Sequence, residues 1–287
     1  MSSNVMGLKA QIRNLAKESG VSAQSLLQNF MFERFLDRLS QSEFKEKFII
    51  KGGVLVAAIV GLDTRSTMDL DTTIRGIPLA EDSIRTALQT IIAVKTADDV
   101  CFTVSKLQPI RHDDEYGGYR ASLTAKYETI EVPLSIDITV GDVITPNPVP
   151  FFIRTMFDKD RQIPLLAYNI ETVLAEKIET ILRRNIFTTR PRDFYDIYVL
   201  HREAVVDPIL LQEAIAATAA HRGSSIQIAD RGSIIKTIET DARLQTMWEK
   251  YRRQFAYARD VEYEDVIIAL KVLCQETLQD KASKNKE

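Results

Sequence analysis

The chain reads as an α/β (α+β) protein, a mixed sheet with helices followed by a helical C-terminal domain, and three observations lead there. Apolar and polar residues alternate with a period of two over Met68–Ile74, the spacing of a half-buried strand. Further runs suited to strands follow at Val100–Leu107, Tyr119–Tyr127 and Glu131–Val140. From about Asn169 the pattern turns helical almost to the end. A length of 287 residues suits one large or two modest domains. The expected division is 1–160 for an N-terminal helix with the α/β core and 161–287 for a helical domain completing a cleft.

The elements follow in order. Residues 22–39 place Leu27, Phe30, Met31, Phe35 and Leu39 on one helical face, so an amphipathic helix opens the fold. Phe48-Ile49-Ile50 suits a short buried strand or a turn, and Lys51-Gly52-Gly53 leads into an apolar helix over Val54–Gly61. After a loop comes the alternating strand, which puts Asp69, Asp71 and Thr73 on one face. Residues 80–94 read as a helix, and the strands at Tyr119–Tyr127 and its predecessor flank Gly117-Gly118. The cluster Pro146, Pro148 and Pro150 reads as the close of the mixed region. Helices are expected over Ile170–Arg184 and from Arg192 onward, ending in a polar, frayed KASKNKE.

Composition narrows the function. With 45% hydrophobic and 27% charged residues the chain can bury a real core, which excludes disorder and collagen-like repeats. The longest wholly apolar run, Val54–Val60, is far too short to span a bilayer. The first twenty residues carry Lys9, Arg13, Lys17 and Glu18 without an apolar core or cleavage site, so no secretory signal is read and a cytoplasmic location is expected. Cys101 and Cys274 lie too far apart in sequence for a disulfide framework or a metal knuckle, and both are expected reduced and partly buried. A net charge of −3 argues against coating nucleic acid through the overall field. A polynucleotide partner therefore needs a local basic patch. Arg183, Arg184, Arg190, Arg192 and Arg202, set against Asp193 and Asp196, form one candidate, the alternative being a solvated helix end and loop.

Chemistry concentrates in three places. Asp69 and Asp71 project from one strand face, within reach of one divalent cation. Asp137 in Leu134-Ser135-Ile136-Asp137-Ile138 adds a third strand carboxylate, unless it simply lies on the solvent face of the sheet. Three acids on adjacent strands suit two Mg2+ ions, the requirement of in-line nucleotidyl transfer from an NTP. Lys51-Gly52-Gly53 before a helix lets backbone N–H groups and the helix N-terminus meet β- and γ-phosphates, the alternative being an ordinary turn. The G-x-x-x-x-G-K-[ST] and G-x-G-x-x-G phosphate motifs are absent. Lys177 falls inside the apolar stripe of Ile170, Val173, Leu174, Ile178 and Ile181. It either snorkels or is a cation for triphosphate and departing pyrophosphate. Asp193 stands near a helix N-terminus, where the dipole favours it. Asp196, on the side of Ile197 and Leu200, suits a buried ion pair with Lys177 or an arginine.

The order Gly-Gly, helix, Asp-x-Asp strand, third strand aspartate resembles the polymerase-β-like nucleotidyltransferase core. Over about residues 25–200, Glu33-Arg34-Phe35-Leu36 with Arg38-Leu39, then Phe48-Ile49-Ile50-Lys51-Gly52-Gly53, then Arg65-Ser66-Thr67-Met68-Asp69-Leu70-Asp71 form an ordered set. Glu176-Lys177 and Arg190-Pro191-Arg192-Asp193-Phe194-Tyr195-Asp196-Ile197 complete it. The set resembles the AbiEii/AbiGii toxin family. That resemblance implies a nucleotidyltransferase-like toxin of a bacterial toxin–antitoxin or phage-defence (abortive infection) system, some members adding nucleotides to the tRNA acceptor end. It places Gly52, Gly53, Asp69 and Asp71 in the first motif, Lys177 in the later lysine motif and Asp193, or alternatively Asp196, in the later aspartate motif. Lys51, Arg65 and Ser66, quoted within these motifs, join the NTP-binding set. Gly53 stands where many superfamily relatives have serine, so backbone amides must serve the phosphate. The implied activity is Mg2+-dependent transfer of NMP from an NTP to a nucleic-acid hydroxyl, with tRNA as acceptor and a cognate antitoxin as partner. The alternatives are NMP or phosphoryl transfer to a protein or small molecule, and a non-catalytic nucleotide-binding module. The helices after about residue 205 lie outside the resemblance.

Overall fold

The computed structural model describes residues 3–61, 67, 69–110, 117–158 and 160–284, with side chains described between residues 5 and 274. The chain divides into two units, Met1–Asp142 with Pro148–Tyr168, and Val143–Asn147 with Asn169–Glu287.

The first unit holds helices α1 (Ser3–Ser19), α2 (Ala23–Gln41), α3 (Gly52–Val60) and α4 (Glu81–Ile92). Its strands are β1 (Phe48–Lys51), β2 (Asp69–Ile74), β3 (Cys101–Ile110), β4 (Gly118–Tyr127), β5 (Ile130–Val140), β6 (Val149–Arg154) and β7 (Gln162–Ala167). They form one sheet in the order β3-β4-β5-β2-β1-β7-β6. The β2/β5 and β1/β7 pairs are parallel and the others antiparallel. The mixed α/β core expected from the alternation is therefore present, with β2 and β1 at its centre. Helix α2 packs on β5 and β7, α3 on β1 and β2, and α4 on β3 and α2.

Three expectations change here. Helix α1 precedes the helix expected to open the fold, and it buries Val5, Leu8 and Ile12 at i, i+3 and i+7. The proline cluster does not close the sheet, because β6 and β7 follow it. Pro150 sits on β6, the last strand of the sheet, and an edge strand tolerates a residue without an N–H. Cys101, expected partly buried, is exposed on the opposite edge strand, whereas Cys274 is buried and burial pushes its thiol up to about 12.

The Glu33-Arg34-Phe35-Leu36 stretch has a structural task. Around Phe32, Phe35, Leu36 and Leu39, which are fully buried, α2 also buries its charged residues, and each is paired. Glu33 bonds to Arg34 and accepts the Met156 N–H at 2.6 Å; Asp37 takes Arg161 at 2.6 Å; Arg38 donates to Asp98 at 2.7 Å and to the Val100 carbonyl at 2.7 Å. A buried charge persists only when so satisfied.

The second unit is helical: α5 (Ile170–Arg184), α6 (Pro191–Glu203), α7 (Pro208–His221), α8 (Ser225–Ala229), α9 (Arg231–Thr240), α10 (Ala242–Gln254) and α11 (Tyr263–Lys284). Asn169 caps α5 by accepting the Thr172 N–H at 2.7 Å, and Pro191 begins α6 where its missing donor costs nothing. Helix α5 packs on α6 and α7, and α6 on α10 and α11.

Candidate active site

Three neighbouring central strands bring the first group of predicted residues together. Register pairs Lys51 of β1 with Asp71 of β2, and Asp71 with Asp137 of β5. Register partners lie on the same face, Cβ atoms about 5 Å apart. Asp69, two residues before Asp71, shares that face and is exposed.

The glycine turn seats Asp71. Gly52 has φ +63°, which favours glycine, and a Cβ there would stand 2.0 Å from Asp71 Oδ2. The Gly53 N–H, expected to face phosphate, donates to Asp71 Oδ2 at 3.4 Å. Burial pushes the Asp71 carboxyl above its ordinary range; Lys51 and the Gly53 N–H oppose this, while Asp137 and Asp69 add to it.

Lys51 is held from the other side by Asp142, with Nζ 2.6 Å from Oδ2. The same oxygen accepts the Thr139 hydroxyl at 2.7 Å and the Tyr168 hydroxyl at 3.0 Å. Burial alone raises a carboxyl; here the Lys51 ammonium and the two hydroxyls outweigh it and bring Asp142 down to about 2. The Lys51 ammonium lies 5.6 Å from the Tyr168 ring centroid, within cation–π range. Asp142 and Tyr168 were not legible in advance, since a single aspartate after Gly141 and a tyrosine before a helix carry no periodic signal.

Asp137 is engaged by Arg120, its cross-strand partner on β4, which donates Nε at 2.7 Å to Oδ1 and Nη2 at 2.6 Å to Oδ2. Three carboxylates on one sheet face are hard-oxygen donors of the kind Mg2+ takes, and the mutual repulsion felt at Asp71 is what a divalent cation relieves. The donor set fits in kind. Among the described residues, however, no three acidic, thiol or imidazole side chains are gathered closely enough to hold a metal ion. Arg65 and Ser66 lie outside the described residues.

The second group of predicted residues belongs to the helical unit. Lys177 does not snorkel: its Nζ is 3.0 Å from Asp193 Oδ1 and 2.6 Å from Asp196 Oδ2, and the Asp196 side chain is fully buried. Asp193 Oδ2 is buried and accepts no hydrogen bond among the described residues, the Arg190 guanidinium standing 3.8 Å away.

The candidate basic patch separates into two kinds of arginine. Arg183 donates to the fully buried Glu179 at 2.9 Å, and Glu179 also takes Arg222 and Ser224, each at 2.8 Å. Arg184 is half-buried, and Arg192 covers the Phe255 ring at 5.6 Å. Arg190 and Arg202 are exposed.

A family model described as "Nucleotidyl transferase AbiEii toxin, Type IV TA system" matches residues 34–269. Two crystal structures share the fold. JHP933 from Helicobacter pylori is 13% identical with a TM-score of 0.51, covering 93% of this chain and 98% of that one. A candidate nucleotidyltransferase from H. pylori is 14% identical with a TM-score of 0.50, covering 93% and 100%. At such identities the likeness is one of fold. No curated protein matches the chain. Among the described residues no helix is long and apolar enough to cross a membrane.

Proposed function

Because the chain belongs to the AbiEii family of nucleotidyl transferase toxins of type IV toxin–antitoxin systems, we propose that it transfers NMP from an NTP to a nucleic-acid hydroxyl, with the tRNA acceptor end as acceptor. The observation that carries this is the register of Asp71 with Asp137, with Asp69 two residues away on the same face. Asp69 and Asp71 would hold Mg2+, and Asp137 would join them. When bound, the cation neutralises phosphate charge and lowers the pKa of the attacking hydroxyl.

The chain's own groups supply the rest. Gly52 keeps the turn low enough for Asp71 to lie against it, and the anion that the Gly53 N–H at the α3 N-terminus meets is the Asp71 carboxylate. Lys51, fixed by Asp142, keeps a positive charge beside Asp71. By motif order alone, Lys177 is assigned as the cation for the pyrophosphate that leaves. Asp193 holds Lys177 through one oxygen and keeps the other as an acceptor. The proposed setting is a cytoplasmic toxin of a phage-defence system, controlled by a cognate antitoxin.

Incubation with each α-labelled NTP, Mg2+ and either total RNA or lysate tests the assignment. Label is expected in RNA of tRNA size, at the 3′ end. Label in protein or a small molecule replaces the acceptor. Nucleotide binding without turnover overturns the enzyme.

A further inference from the structure

Asp137 carries an arginine where metal chemistry needs a free carboxylate. Arg120 places one donor on each of the two oxygens of Asp137, taking one lone pair of each. Its electrostatic partners extend beyond Asp137 to Asp69 and Asp71, so one guanidinium serves all three acids. The other cation of the face, Lys51, is enclosed by Asp142, Thr139 and Tyr168. Arg120 is built differently. Its side chain is 52% exposed, against 12% for Lys51, and it reaches Asp137 from a neighbouring strand along a flexible stem. It can leave without opening the core.

We propose that Arg120 is the resident counter-cation of the carboxylate face and competes with a divalent metal ion for Asp137, so that metal entry requires an arginine-for-metal exchange. The inference rests on the metal-site assignment given above for Asp69, Asp71 and Asp137. An ion pair between partly exposed groups is weak, and that weakness is what an exchangeable contact needs. The fork supplies geometry more than affinity: two parallel N–H donors match the two carboxylate oxygens, and the guanidinium's positive charge opposes a second cation on the same carboxylate while it stays. Once released, the guanidinium offers its donors to the next anion to arrive, and a nucleotide phosphate is such an anion.

Mn2+ binding to the full chain without nucleotide, followed by electron paramagnetic resonance of the free ion, tests this without any turnover. Arg120→Ala is expected to tighten Mn2+ binding at least about threefold, the scale of one partly exposed ion pair. Removing a nearby positive charge also helps any cation, so the comparison is repeated on Asp137→Asn, where no carboxylate is there to be uncovered. The Arg120→Ala gain is expected to shrink markedly in that background. An equal gain in both backgrounds reduces Arg120 to a bystander charge and overturns the exchange. Equal Mn2+ binding by wild type and Arg120→Ala, lost in Asp69→Asn, overturns the exchange alone. Absence of binding in both overturns the metal site and the exchange with it. Circular dichroism of each variant confirms that it is folded.

Discussion

Asp69 is the exposed member of the carboxylate face, so replacing it disturbs little of the core. Asp69→Asn is expected to keep its unfolding midpoint within about 0.5 kcal/mol of wild type, as surface changes do. Transfer and cell toxicity are expected to fall by about a hundredfold or more, since an amide is a poor ligand for a hard cation. Full transfer by the folded variant removes Asp69 from the metal set. Lys177 behaves differently, because its partner Asp196 is fully buried. Lys177→Met alone strands that charge and is expected to cost roughly 3–5 kcal/mol in denaturant unfolding. Lys177→Met with Asp196→Asn removes both charges, so stability should largely return while transfer stays about a hundredfold down. Recovery of transfer in the double variant assigns Lys177 to folding and not to catalysis.

At the scale of the element, the β5 end illustrates how a strand terminus can be fastened by one side chain. Asp142 has a folded pKa of about 2, below the unfolded value of about 3.9. A depressed carboxyl contributes stability that is full above pH 4 and is lost as pH falls towards 2. Asp142→Asn is therefore expected to lose on the order of 2 kcal/mol at neutral pH, with the two unfolding curves converging near pH 2. A constant difference across that range excludes the ion pair as the cause. Elements differed in how plainly the amino acids announced them. The strand of Asp69 and Asp71 was readable because one face alternates with the other. Helix α5 was readable because Ile170, Val173, Leu174, Ile178 and Ile181 recur at helical spacing, although the structure buries Glu179 as well. Strands β6 and β7 were not, since Pro150 and Pro164 hide the alternation; only sheet pairing reveals that Pro150 lies on the edge strand and that Pro164 precedes the Leu166–Ala167 stretch where β7 meets β1. Nor could spacing tell that Arg183 answers a buried glutamate while Arg190 faces solvent, because both occupy basic stretches near helix ends.

For the whole molecule, a net charge of −3 leaves binding of a polyanion to local arginines. Arg190 and Arg202 are the exposed members of the candidate patch. Arg190→Gln and Arg202→Gln are each expected to weaken tRNA binding and to lower the log–log salt slope by about one if a phosphate contact is lost. Filter binding across a salt series measures this, and unchanged slopes in both variants move the acceptor surface elsewhere. Arg183→Glu is unsuitable for the purpose, since it places a second carboxylate beside buried Glu179 and is expected to destabilise the helical unit.

The carboxylates hang on strands that are interior to the sheet, with β4 and β3 outside β5, and β7 and β6 outside β1. Amides in such a position exchange with solvent only when the surrounding unit opens as a whole, whereas edge strands fray separately. Deuterium uptake at Leu70–Thr72 should therefore report the global opening of the first unit, rising in urea with that unit's own unfolding midpoint. Fraying of the edge strands is therefore not expected to draw Asp69, Asp71 and Asp137 apart: their arrangement is lost with the first unit and not before it.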